Sequence, residues 1–168
     1  MIRIVQILLG LFFLTSGLAK GITLDYTVLK IDEYLRILGL DWFVRFDIVI
    51  LILINATEVT LGLMFLLNLR PKLTLWLASL MMLVFTPKTL YVAIKGLMSN
   101  SGCFGNLIPL SPWQSNWKNL FMDLLLVFLW LKYPKLTPNT KISLKSSDWL
   151  IGIFFITMVF LQISELLI

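Results

Sequence analysis

The chain has 168 residues, 59% hydrophobic and 14% charged, with a mean hydropathy of +0.93. A soluble domain carries about 25% charged residues, so this is a membrane protein without room for a separate soluble domain of ordinary size. Its net charge of +5 comes from Lys and Arg scattered between hydrophobic segments, which marks snorkelling and topology signals rather than a nucleic-acid patch.

A hydrocarbon core of about 30 Å takes about 20 apolar residues as helix. Five spans are predicted on that basis, at Ile4–Leu18, Phe46–Leu69, Leu73–Ile94, Trp117–Leu131 and Trp149–Ile168. Arg3 and Ser16-Gly17-Leu18-Ala19 give the first a superficial likeness to a signal peptide, and it is read as a retained helix. Between the first two spans, Val28, Ile31, Leu35 and Leu38 recur at helical spacing, with Asp25 able to cap and Gly39 able to stop. Lys30, Asp32, Glu33 and Arg36 take the other faces, so residues 25–39 read as an amphipathic helix on the membrane surface. Trp42 and Phe43 then anchor the interface. Pro109, Pro112, Trp113 and Trp117 suggest a rigid segment returning along the interface before the fourth span. Seven basic residues fall on each side of the membrane. The acid-free Arg70/Lys72 and Lys132–Lys145 connections place the N-terminus inside and the residue 99–116 loop outside.

Ionisable groups within spans are functional candidates by default. Asn55, Glu58 and Gly62 form one polar and small stripe on the second span, with Glu58 about 18 Å along it. Lys88 follows Pro87 on the third. Lys20, Lys88, Asp123 and Glu165 are expected to form a charged layer at the loop end, with Glu58 deeper. That layer either holds the helices in register as ion pairs or tunes a thiolate above it. Gly10 and Gly17 share a face of the first span, spacing that permits close helix approach.

The thiol belongs to Cys103, in Ser101-Gly102-Cys103-Phe104-Gly105. The two glycines permit a tight exposed turn around it. With no histidine in the chain, His-held haem, His-ligated zinc and the commonest general base are excluded. With one cysteine, so are an internal disulfide and an iron–sulfur cluster held by this chain alone.

In this loop and three further places the sequence resembles the MauE/DoxX family of redox-associated membrane proteins. Ser16-Gly17-Leu18-Ala19-Lys20 matches its S-G-x-x-K, Glu58 with Gly62 its E-x-x-x-G, and Phe85-Thr86 precedes the loop. The loop itself stands against C-G-C-F-G, followed by Pro112-Trp113-Gln114-Ser115 and Trp117-Lys118-Asn119. The resemblance covers residues 1–132 and implies an all-α, polytopic bundle: a four-helix core, with a cytoplasmic connection and a fifth transmembrane helix appended over 133–168. It further implies a bacterial inner membrane, a periplasmic loop, thioredoxin-like exported partners and, in some members, quinone-linked chemistry. Ser101 replaces the first cysteine of C-G-C, so a dithiol cycle within the loop is impossible, and Cys103 would act through a mixed disulfide. The expected role is an accessory protein that supports thiol-redox maturation of a partner, rather than a complete oxidoreductase. The alternatives are a purely structural subunit beside other membrane chains, and a small transporter or lipid- or quinone-binding protein using the Asn55/Glu58 stripe.

Overall fold

The structure, a computed structural model, describes residues 1–135 and 144–166, excepting the side chains at 135, 144–147, 165 and 166. Six α-helices follow in order: α1 (Ile2–Ile22), α2 (Leu24–Ile37), α3 (Asp47–Leu67), α4 (Pro71–Lys95), α5 (Pro112–Leu131) and α6 (Leu144–Leu166). A 3-10 segment, Asp41–Phe46, leads into α3, and one short extended segment, β1 (Cys103–Asn106), lies between α4 and α5. Three stretches are long and apolar enough to cross a membrane: α1, Asp41–Leu67 and α4. The predicted fourth and fifth spans are helical but fall short of that standard among the described residues. The predicted cytoplasmic connection lies largely outside them.

α1 packs most extensively on α3, and α4 on α5. Lipid is as apolar as leucine, so close packing rather than exclusion of water must hold such helices together. The α1–α3 seam shows how: a Cβ built on Gly62 would stand 2.8 Å from the Leu14 nitrogen and 2.9 Å from the Gly10 carbonyl. Gly17 meets Val59 in the same way, with a Cβ only 2.6 Å from its Cγ2. Below this seam Phe13 stacks on Phe65 with centroids 6.1 Å apart, among fully buried Leu9, Leu61, Ala78 and Leu129. At that end Arg3 donates to the Phe65 carbonyl at 3.2 Å and Gln6 to Asn68 at 2.7 Å. These bonds fasten the start of α1 to the end of α3.

One expectation requires correction. α5 begins at Pro112, so Pro112, Trp113 and Trp117, read as part of an interfacial return, lie within the helix, while Pro109 precedes it. Ser111 caps it: its hydroxyl accepts from the Gln114 N–H at 3.3 Å, while the Gln114 side chain accepts from the Ser111 N–H at 2.9 Å. Pro112 at the first helical position suits this capping box, because its missing N–H would have been unpaired there. The helix expected over residues 25–39 is present as α2, and the face it buries against the protein is Leu24, Thr27 and Tyr34. The Tyr34 hydroxyl donates to the Ser101 carbonyl at 3.1 Å, so this face is fastened to the loop.

α6 joins through polar contacts. Arg70 pairs with Asp148 near its start. Further along, the Asn55 amide donates to the Gly17 carbonyl at 2.5 Å and accepts from the Gly21 N–H at 3.1 Å and from Gln162 at 2.8 Å. Asn55 thus ties α3 to both α1 and α6 through one side chain.

Candidate functional site

The C-terminal ends of α1 and α4, the start of α5, α2 and β1 meet at one end of the bundle around Cys103. Two glycines set the loop's path. Gly102 has φ +67° and Gly105 φ +57°, the left-handed region that costs other residues about 1–2 kcal/mol. The Gly105 N–H donates to the Gly102 carbonyl at 3.1 Å, closing a tight turn over Cys103 and Phe104. Gly105 also lies flat on α1, where a Cβ would fall 1.9 Å from Thr23 Oγ1 and 2.8 Å from the Ala19 carbonyl.

The loop is held from every side. Ser16 on α1 donates to the Cys103 carbonyl at 2.9 Å, and the Asn106 N–H donates to Thr23 Oγ1 at 3.3 Å. Ser101 is buried; its N–H donates to the Leu110 carbonyl at 2.9 Å and its hydroxyl bonds that of Ser115 on α5. That same Ser101 oxygen receives the Cys103 N–H at 3.4 Å. Cys103 itself is half-buried, and its sulfur is a free thiol.

Cations surround it. Lys20 reaches from α1 to Glu58 on α3 at 2.5 Å, both side chains buried; the second Glu58 oxygen has no partner among the described residues. Lys88 comes from α4, its ammonium 3.9 Å from the Tyr34 ring centroid and 5.0 Å from that of Phe85. The Lys20 ammonium lies 5.2 Å from the same Phe85 ring, and Lys118 from α5 sits 5.0 Å from that of Phe104. Burial pushes the Cys103 thiol up, but the charges of Lys118, Lys88 and Lys20, together with a Ser115 hydrogen bond, outweigh it and leave the thiol below its ordinary range. Tyr34 moves the other way: burial first, and then negative charge at Cys103, raise its phenol well above the usual value. The result is a positively charged seat in which the thiolate, the nucleophilic form, is more accessible than in an ordinary cysteine.

Of the residues singled out in the sequence, Ser101, Gly102, Cys103, Phe104, Gly105, Lys20, Glu58 and Lys88 gather here. Asn55 lies one turn from Glu58 and faces α1 and α6. Asp123 stands apart from the lysines, accepting a hydrogen bond from Thr86 at 2.7 Å. The Glu165 side chain lies outside the described residues. Sequence reasoning passed over Ser16, Thr23, Tyr34, Ser115 and Lys118 as parts of the site. A serine-proline pair followed by glutamine at capping spacing would have placed α5 one turn earlier and brought Ser115 and Lys118 beside the loop.

Three motifs far apart in the chain therefore touch: Ser16 and Lys20 on α1, Glu58 and Gly62 on α3, and the Cys103 loop. A model of the family described as methylamine utilisation protein MauE matches residues 1–132. The chain belongs to the MauE family. The match takes in α1 to α5 and the whole surroundings of Cys103, and stops before α6. The chain is also similar to Protein TlpB of Flavobacterium psychrophilum, 32% identical over 142 residues, covering 78% of this chain and 36% of that protein. The chain thus spans about a third of that relative's length. No solved structure matches it. Among the described residues no group of His, Cys, Asp and Glu is arranged to hold a metal ion.

Proposed function

We propose that this MauE-family chain is a membrane-embedded accessory protein that relays disulfide exchange through Cys103. The reading rests on one observation: a half-buried thiol, fixed by two left-handed glycines, faces lysines from three different helices. The Cys103 thiolate attacks one sulfur of a partner's disulfide. A Cys103–partner S–S bond forms, the partner's own S–S bond breaks, and its other sulfur leaves as a thiolate stabilised by the same lysines. A second thiolate then attacks the partner sulfur and displaces Cys103 as thiolate, so one disulfide is exchanged for another without net oxidation.

The family resemblance, including the wider likeness to DoxX proteins, supports a bacterial inner-membrane setting. It also supports a periplasmic loop, a thioredoxin-like exported partner and five spans, with α5 and α6 as the fourth and fifth. A quinone, which the same likeness allows, accepts two electrons when a dithiol becomes a disulfide. This chain offers a single sulfur, so no step is assigned to that cofactor. The transporter alternative is disfavoured by the bonds that occupy the Asn55/Glu58 stripe.

Trapping mixed disulfides in native membranes tests the reading, comparing the wild type with Cys103→Ser on non-reducing gels followed by mass spectrometry. A reducible adduct with an exported thiol protein, absent from the serine variant, is the expected result. A Cys103 that stays free, in a chain whose serine variant assembles and functions normally, would leave a structural subunit in its place.

A further inference from the structure

Beside Cys103 lies a cleft of about 40 Å³, walled by α1, α2, α3, α4 and the loop. Its apolar side is Ile31, Leu51, Ile54 and Phe85, and its cations are Lys20, Lys30 and Lys88. Lys20 is neutralised by Glu58, and Lys30 by Glu33 at 2.7 Å. Lys88 has no carboxylate partner among the described residues; its ammonium meets only the Tyr34 and Phe85 rings. The cleft's other polar donors are engaged elsewhere: Tyr34 with the Ser101 carbonyl, Thr27 with the Thr23 carbonyl, and Thr89 with the Phe85 and Thr86 carbonyls. What remains is one ammonium without a carboxylate partner, set in a mostly apolar recess beside the Cys103 sulfur.

We infer that this cleft is a binding site for a single oxyanion head, such as a phosphate group, held by Lys88. An ammonium with aromatic faces around it and no carboxylate partner favours an anion. A single free cation admits one anionic group, and the Ile31, Leu51 and Ile54 wall suits an attached apolar stem. An anionic phospholipid combines both, while free phosphate supplies the head alone. Lys88 also faces Cys103, so the bound anion and the thiolate use the same charge. Each weakens the other, a coupling that must be reciprocal. This inference stands on the cleft and does not require the exchange partner proposed above.

The test measures N-ethylmaleimide alkylation of Cys103 in the full chain reconstituted in phosphatidylcholine nanodiscs. Parallel samples use discs containing phosphatidylglycerol, or phosphatidylcholine discs with added inorganic phosphate. With the cleft filled at ten times its dissociation constant, the rate should fall roughly tenfold. Slowing by phosphatidylglycerol alone assigns the lipid headgroup; equal slowing by free phosphate assigns a soluble oxyanion. Lys88→Gln should abolish the difference between discs, whereas Lys88→Arg, which keeps the charge, should retain it. Equal rates in all three samples of the wild type overturn the inference. So does slowing that persists unchanged in Lys88→Gln, because it would then report surface potential alone.

Discussion

Substituting Gly105 by alanine should separate the Cys103 thiol from its lysines without unfolding the bundle. A left-handed alanine costs about 1–2 kcal/mol before any contact is counted. Its Cβ would also fall 1.9 Å from Thr23 Oγ1 and 2.8 Å from the Ala19 carbonyl. Neither obstacle can retreat: the carbonyl belongs to α1, and Thr23 Oγ1 is tied to it by a 2.9 Å bond. The loop must therefore lift, losing the Ser16–Cys103 and Asn106–Thr23 bonds, each worth about 1 kcal/mol net. The sum, about 3–4 kcal/mol, falls on a segment outside the Phe13/Phe65 core, so the response is local opening. Once the thiol leaves Lys118, Lys88 and Lys20, its pKa should rise toward the ordinary cysteine range. Alkylation rate against pH in nanodiscs reads this directly, with circular dichroism confirming retained helix. Adding Thr23→Ala removes the nearest obstacle and should recover part of the shift. A Gly105→Ala protein that is fully helical yet keeps the wild-type midpoint would refute the assignment of the depressed thiol to this loop geometry.

Three further outcomes follow from the same contacts. Lys118→Gln removes a cation that favours the thiolate, so the alkylation midpoint should move up and the reaction at neutral pH should slow; an unmoved midpoint excludes Lys118 from the effect. Glu58→Gln leaves Lys20 charged and buried without its counter-ion, a loss of about 3–5 kcal/mol, whereas converting Lys20 and Glu58 together to methionine should restore most of it. Denaturant titration in micelles distinguishes that pair effect from simple additivity. Gly62→Val forces α1 and α3 apart at Gly10 and Leu14, and should cost about 1–3 kcal/mol; a variant as stable as the wild type would show that the seam tolerates separation.

The helical character of the chain was legible because long apolar runs leave few alternatives. The Gly10 and Gly17 spacing likewise permitted close helix approach, while the part of Gly62 in that seam emerged only from the structure. Finer features were hidden where polar contacts override apolar periodicity. On α2 the Val28/Ile31/Leu35/Leu38 stripe is the more regular pattern, while the face buried against the protein is Leu24, Thr27 and Tyr34. At α5 the tryptophans and prolines suggested an interfacial segment, whereas the Ser111/Gln114 cap starts the helix at Pro112. Charge type predicted a layer, but not its partners: Glu58 pairs with Lys20, while Asp123 accepts from Thr86 on the α4–α5 side. Pairing of that kind depends on how the helices are turned, which one sequence's hydropathy does not fix.

Ser101 holds the shape of the loop around the thiol. The residue is anchored by its N–H to Leu110, by its carbonyl to Tyr34 and by its hydroxyl to Ser115. Its hydroxyl oxygen also receives the Cys103 N–H. Position 101 therefore supports the turn that presents Cys103, and a hydroxyl performs that task through hydrogen bonds that a thiol makes only weakly. The consequence is chemical as well as structural. In the exchange proposed above, a second thiol at 101 would resolve a mixed disulfide within the loop and return the partner reduced. A serine cannot, so that exchange requires a thiolate from outside the chain to release Cys103, and its outcome would be set by which external sulfur reaches the site next.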